Sequence, residues 1–231
     1  MYTLLPQTKS VIFDLDDTLY DFKGCHQRVM PILENYAREK LGMEPEVFRA
    51  EQKRILDWQF STLPKQAGCH SRAMRFQLLL ESNGLPLHHA NTLAELYWNS
   101  MLAIMTPFPG CVDLFRNLRK RNISIGIGTD MTADWQLKKL ERLGLLDFVS
   151  FFVSSEETEE KPGNGMFLRC ASKAGVPVDS CLFVGDNRKR DIQGAVDIGM
   201  PCLWIQPDPE KRASHPECPS VSSIAEIQFP S

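Results

Sequence analysis

The sequence predicts an α/β fold: a doubly wound, parallel, Rossmann-like sheet with an α-helical cap domain inserted after the first strand. Two observations carry this. From residue 111 onward short apolar runs alternate with helix-like segments, and that alternation argues for a parallel sheet covered on both faces. From about residue 25 to residue 105 the texture differs, with helical patterns and no convincing strand. The core then takes residues 1–20 and 106–231, and the helical domain takes residues 21–105. A chain of 231 residues suits a core plus a second module.

Residues 10–15 read as a buried strand, because Val11, Ile12 and Phe13 are apolar and acidic residues end the run. Helices are predicted over 26–41, stopped at Gly42, and over 46–60, with Pro45 just before it. Two more are predicted over 71–82, closed by Asn83 and Gly84, and over 89–105. Phe76, Leu79 and Leu80 recur at the spacing of a half-buried helix face. Pro107, Pro109 and Gly110 make a stiff turn back to the core. A helix over 111–120 and a strand over 123–128 follow. Next come a helix over 133–142, ended by Gly144, and a strand over 148–153. A helix over 166–173, ended by Gly175, precedes a strand over 181–184. A helix over 191–198, ended by Gly199, precedes a strand over 201–205. Beyond Gln206 Pro and Ser are frequent and irregular chain is expected, with one short helix at 223–226 from a capping-box spacing.

A composition of 43% hydrophobic and 24% charged residues fits an ordinary globule. A net charge of −3 points to neither a nucleic-acid polymer nor an acidic membrane surface as partner. No apolar run approaches the roughly 18–20 residues of a membrane span. Met1 to Ser10 has no signal-type apolar stretch. Seven cysteines, an odd number without CxxC pairs, read as reduced thiols in a cytoplasmic protein. The expected partner is a small molecule, and the oligomeric state is left open.

Four polar segments follow probable strands: Asp14-Leu15-Asp16-Asp17-Thr18, Thr129-Asp130, Lys161-Pro162, and Gly185-Asp186-Asn187 with Asp191 beyond. In a doubly wound sheet, ligands bind at the carboxyl ends of strands, where strand order reverses. Asp14 and Asp16 lie two apart, so in extended chain both carboxylates face one reacting group. One could attack as nucleophile and the other move protons. A turn stabilised by Asp16, Asp17 and Thr18 is the plainer alternative. Asp14 and Asp186 match the one or two carboxylates that Mg²⁺ takes, although Asp186 also suits a helix cap. The Thr129 hydroxyl and the following N–H could hold a phosphate oxygen or cap a helix. Lys161, its backbone restrained by Pro162, could hold phosphate as a point charge or be solvated. Asp191 could instead be a first-turn acid complementing a helix dipole.

In this order the segments resemble the four motifs of the haloacid dehalogenase superfamily, in the branch with a helical cap after the first strand. The resemblance covers essentially the whole core. It implies a Mg²⁺-dependent phosphatase acting on a small phosphomonoester through an aspartyl-phosphate. By that resemblance Asp14 is the nucleophile and Asp16 the general acid and base. Mg²⁺ is held by Asp14, Asp186 and the Asp16 carbonyl. Thr129, the Asp130 N–H and Lys161 hold the transferring group, and Asp191 orients Lys161 or a metal-bound water. An acid at Asp16 disfavours dehalogenation, whereas a phosphomutase uses the same positions. Two departures stand out. Asp130 replaces the usual Asn, which sets a carboxylate beside a phosphate site. Gly163 and Gly165 follow Pro162, which is expected to loosen the turn.

Substrate selection is expected in the helical domain. His70, Arg72 and Arg75 combine a Gly-containing loop with basic side chains at a helix start, and Arg72 and Arg75 share a helix side. They could bind a leaving group or a second anion, or form a solvated face. Phe22 and Lys23 follow the first motif, where a hinge could present them to substrate, or Tyr20 and Phe22 could simply pack the hinge. The string from Phe13 to Phe22 resembles nucleotidase-like members, which points to nucleoside monophosphates beside sugar phosphates. A receiver-type phosphoacceptor fits less well, because Ser154 and Ser155 stand where its lone Asp would be. A catalytically idle binding protein is a further alternative.

Overall fold

A computed structural model describes residues 1–230. The chain forms two compact units, Met1–Asp21 with Thr106–Ser231, and Phe22–Met105. The first unit is built on a six-stranded sheet of β2 (Ser10–Phe13), β3 (Ser124–Thr129), β4 (Phe151–Ser154), β5 (Cys181–Gly185), β6 (Cys202–Ile205) and β7 (Ser220–Val221). Their order is β4-β3-β2-β5-β6-β7 and every pairing is parallel. β1 (Tyr2–Thr3) pairs separately with β8 (Ile227–Gln228), also parallel. The chain runs from β2 to β3 and β4, then returns to lay β5 on the other side of β2. The switch point of this α/β sheet therefore lies between the carboxyl ends of β2 and β5.

The second unit holds four helices: α1 (Phe22–Leu41), α2 (Pro45–Thr62), α3 (Arg72–Ser82) and α4 (His89–Ile104). Pro45 starts α2 where no N–H partner is needed. The Ser71 hydroxyl accepts from the Met74 N–H and caps α3. Phe48 of α2 stacks on Phe76 of α3, with ring centroids 6.4 Å apart. Leu33, Leu79, Leu93 and Met101 are fully buried among these helices.

In the first unit α5 (Cys111–Lys120), α6 (Ala133–Arg142), α7 (Asn164–Ala174), α8 (Gln193–Asp197) and α9 (Pro209–Ala213) complete the elements. All four residues of β2 are buried. Adjacent residues of a strand face opposite sides. Phe13 meets Phe115 of α5 at 4.9 Å. Ile12 joins the core cluster that includes Phe167 of α7 and Phe183 of β5, whose rings are 4.8 Å apart. Each such buried aromatic contributes roughly 1.5–3 kcal/mol relative to exposure.

Several elements differ from expectation. The first strand ends at Phe13 rather than residue 15, because the Leu15 carbonyl turns to accept from the Thr18 and Leu19 N–H groups. Leu15 is apolar because it is buried under that turn. The strand expected over 148–153 is Phe151–Ser154, since Leu146–Phe148 form a 3₁₀ turn that sets Phe148 against Phe115. The helix expected over 191–198 begins as a π turn, Arg188–Ile192, and continues as α8. The tail is not irregular: α9, β7 and β8 lie there, and Cys218, Val221, Ile224 and Ile227 are buried. Strands of two residues are too short to show a period. The expected helix at 223–226 is a 3₁₀ turn, Ile224–Glu226, without a side-chain cap from Ser223.

Candidate active site

Asp14 follows β2 directly, its N–H bonded to the Val184 carbonyl of β5 at 2.9 Å. Asp186 follows β5. The two residues therefore leave adjacent strands at the switch point. Asp14, Asp186 and Asp191 each offer a carboxylate oxygen within 4.8 Å of the others. Lys161 reaches into this group: its Nζ lies 2.6 Å from Asp14 Oδ1 and 2.7 Å from Asp191 Oδ1. It also donates to the Gly128 carbonyl at 3.3 Å. Thr18 Oγ1 donates to Asp14 Oδ2 at 3.4 Å.

Burial pushes the Asp14 carboxyl well above its ordinary value; Lys161 works against this, while Asp191 and Asp186 add to it. For Lys161 burial opposes the charge, but Asp14, Asp191 and Asp130 outweigh it and raise the amine.

Asp191 is placed by local chain geometry. Asn187 Oδ1 accepts from the Lys189 and Arg190 N–H groups, and Asp191 Oδ2 accepts from the Asn187 N–H at 2.9 Å. This reciprocal pattern resembles a capping box. It coincides with the π turn, a distortion frequent at functional sites. Gly185 is required here, because a Cβ would stand 2.3 Å from Asp191 Oδ2. The Asp186 carbonyl is held by Trp204 Nε1 at 2.7 Å.

Thr129 ends β3 and is buried. Gln136 of α6 fixes it, donating from Nε2 to Thr129 Oγ1 at 2.7 Å and to the Asp130 carbonyl at 3.0 Å. Thr129 does not cap α6; the Ala133 N–H is met by Glu156 Oε2 at 2.7 Å. Asp130, expected to repel an anion, is drawn aside. Its Oδ2 lies 2.6 Å from Arg190 Nη2, and its Oδ1 accepts from the Lys161 N–H at 3.1 Å. Arg190 also pairs with Glu160 at 3.4 Å. A Cβ on Gly163 would lie 2.3 Å from the exposed Glu159 side chain, which would have to move, whereas one on Gly165 would meet nothing nearer than 3.6 Å.

Asp16 has partners of its own. Lys139 Nζ donates to both of its oxygens, at 2.8 and 3.0 Å, and Tyr20 OH donates to Oδ1 at 2.6 Å. The Lys139 side chain is 0% exposed and that of Asp16 22%, so the lysine approaches from inside and the carboxylate stays open to water. The two acids were expected to share a direction because the strand was expected to continue. It ends before them, and each meets a different lysine.

Sequence reasoning missed Lys139, Tyr20, Gln136 and Arg190. Gln136 and Lys139 lie on the inner side of α6 with Leu140. The signal was a polar pair at spacing three on an apolar helix face. Arg190 stood hidden in a basic run, Arg188-Lys189-Arg190.

Asp14, Asp186 and Asp191 bring three hard carboxylate donors within 4.8 Å of one another, a set that fits a divalent cation.

The remaining predicted residues lie in the helical unit. Phe22 stacks on His26, with centroids 6.1 Å apart, and Lys23 is exposed. His70 ends a 3₁₀ turn, Ala67–His70, edge-on to Phe60 at 5.3 Å. Arg72 is half-buried, whereas Arg75 is 4% exposed, so the solvated face that was one reading of this pair is wrong for Arg75.

Residues 8–199 match the family model of haloacid dehalogenase-like hydrolases. The ribulose-1,5-bisphosphate 5-phosphatase of Halopiger xanaduensis is 32% identical over 214 residues, which cover 89% of this chain and 87% of that protein. The pyrimidine 5'-nucleotidase YjjG of Escherichia coli is 29% identical over 231 residues, covering 94% and 95%. Among solved structures, the HAD-hydrolase YfnB of Bacillus subtilis superposes with a TM-score of 0.71 at 22% identity, covering 95% and 96%. This chain belongs to the haloacid dehalogenase-like hydrolase family, as one of its phosphatases.

Proposed function

We propose that the protein hydrolyses a small phosphomonoester, a sugar phosphate or nucleoside monophosphate, through an aspartyl-phosphate on Asp14. The observation that carries this is the buried Asp14–Lys161–Asp191 chain beside Asp186, at the switch point of the sheet. An Asp14 oxygen attacks phosphorus while the ester oxygen leaves, and Asp16 gives that oxygen a proton. Asp16 then takes a proton from water, whose oxygen attacks phosphorus and returns Asp14 as a carboxylate. Thr129, the Asp130 N–H and Lys161 hold the phosphoryl oxygens, and Asp191 orients Lys161. Such transfer depends on in-line placement and charge neutralisation.

Mg²⁺ would be held by Asp14, Asp186 and the Asp16 carbonyl. When bound, it neutralises charge on the phosphoryl oxygens. Lys139 and Tyr20 hold the Asp16 carboxylate in one orientation, and Gln136 does the same for the Thr129 hydroxyl. The helical unit supplies substrate selectivity.

No helix among the described residues is long and apolar enough to cross a membrane. All seven cysteines are buried and free, which supports a reducing, cytoplasmic setting.

The test is phosphate release from a panel of sugar phosphates and nucleoside monophosphates. Wild type is compared with Asp14→Asn and with wild type in chelator. Release by wild type alone is expected. Equal release by Asp14→Asn, or none by wild type on any ester with Mg²⁺ or Mn²⁺, sinks the proposal.

A further inference from the structure

One arginine joins the loops that leave β3, β4 and β5. Arg190 stands in the π turn after β5, next to Asp191. Its N–H is held by Asn187 Oδ1 at 3.2 Å. Its Nη2 reaches Asp130 Oδ2, just past β3, at 2.6 Å, and Glu160 Oε2, past β4, at 3.4 Å. Both carboxylates belong to buried residues. The Arg190 side chain is 33% exposed, so it enters from the solvent side and covers them.

These contacts close a ring around Lys161. Asp130 Oδ1 accepts from the Lys161 N–H at 3.1 Å, and Lys161 Nζ lies 2.7 Å from Asp191 Oδ1. Asp191 follows Arg190 in the chain, and Arg190 returns to Asp130. Lys161 is thus held at its backbone through Asp130 and at its amine through Asp191, and both holds lead to the same turn. The ring also explains the acid at position 130. Its two oxygens meet two donors, the Lys161 N–H and the Arg190 guanidinium, so both must accept. A carboxylate accepts on both sides, whereas an amide would turn its NH₂ towards one of the donors. The carboxylate brings a negative charge beside a site for an anion, and Arg190 offsets it through a short charged hydrogen bond. Removing one member of such a buried pair leaves the other charge uncompensated.

We infer that Arg190 is a positioning residue for Lys161, acting through Asp130, and that Asp130 and Arg190 work as a matched pair. Arg190 draws the Asp130 carboxylate away from the transferring group and sets it to fix the Lys161 backbone. Without Arg190 the same carboxylate repels the anion and releases that backbone. The inference rests on the phosphatase reading for the group that Lys161 holds.

A double-mutant cycle with two readouts tests it. The first is the dissociation constant of inorganic phosphate in the presence of Mg²⁺, followed by phosphorus NMR. The second is amide hydrogen exchange at Lys161, with the Phe183 amide, bonded to the Pro201 carbonyl inside the sheet, as control. Arg190→Met is expected to bind phosphate about tenfold more weakly and to exchange the Lys161 amide about tenfold faster, within the coupling range of contacting residues. Phe183 exchange should not change. Arg190→Lys, which keeps the charge and loses the fork, should fall between. Adding Asp130→Asn to Arg190→Met is expected to restore both readouts to within about threefold of wild type, because contacting sites are not additive. The charge is then gone, and the amide oxygen still accepts from the Lys161 N–H.

Losses that simply add in the double variant overturn the matched pair. Unchanged Lys161 exchange in Arg190→Met overturns the positioning role, as does equal acceleration at Phe183, which marks general loosening. Should Arg190→Met fail to fold, the double variant and Arg190→Lys decide by the same two readouts. The exchange measurement needs no turnover. A wild type that releases no phosphate from any ester, but whose Lys161 amide responds to Arg190 as expected, supports the positioning role while the phosphatase reading fails.

Discussion

Asp16 shows how much of this site depends on residues outside its motifs. Its carboxylate is gripped by Lys139 on both oxygens and by Tyr20 on one. Removing one member of a buried ion pair costs about 3–5 kcal/mol, and the partial exposure of Asp16 sets the low end of that range. For Lys139→Met the expected outcome is a lower melting temperature and a selective loss of kcat. The loss should be large for alkyl phosphates, whose leaving oxygen takes a proton from Asp16 in the proposed mechanism. It should be small for 4-nitrophenyl phosphate, whose phenolate leaves without one. Equal losses on the two esters would mean that Lys139 does not act through Asp16. Asp130 makes a similar point in reverse, since a carboxylate that looks repulsive in sequence is neutralised by Arg190.

At the scale of elements, the turn after β5 and the helices of the second unit each carry a prediction. Gly185→Ala places a methyl group against the Asp191 carboxylate, where overpacking costs roughly 1–3 kcal/mol. Asp191 must move, and Lys161 loses one of its two anions. Kinetics at saturating Mg²⁺ should show a fall in kcat of tenfold or more while the far-ultraviolet circular dichroism of the fold is retained. In the helical unit His26 has a folded value of about 4, below its ordinary 6.5, through burial first and then Arg72 and Arg75. Between these values the unfolded chain holds a proton that the folded chain does not. The stability tied to His26 is therefore full above pH 6.5 and is lost as pH falls towards 4. Denaturant unfolding of His26→Gln should show a shallower decline over that window than wild type.

For the whole molecule, the cluster of Asp14, Asp186 and Asp191 links the proposed ion to stability. A ligand present at a hundred times its dissociation constant stabilises a fold by about 2.7 kcal/mol. Mg²⁺ is expected to raise the melting temperature of wild type by several degrees, reversibly with chelator, and Asp186→Asn to abolish that rise. A rise of the same size in Asp186→Asn would place the ion elsewhere.

The sequence by itself determined the α/β class and the order of alternating elements from residue 111 onward, and it pointed to Asp14, Lys161, Asp186 and Asp191 as candidates, which the fold brings together. These were legible because buried parallel strands need unbroken apolar runs and because polar residues just past their carboxyl ends gather at the switch point. The sequence did not determine where the first strand stops, the short strands of the tail, or the partners Lys139, Tyr20, Gln136 and Arg190. A strand of two residues has no period to read. A buried lysine on α6 carries no local mark of the carboxylate 123 positions away that it meets. Only tertiary structure decided those pairings, because burial converts a polar residue on a helix face into an obligatory partner.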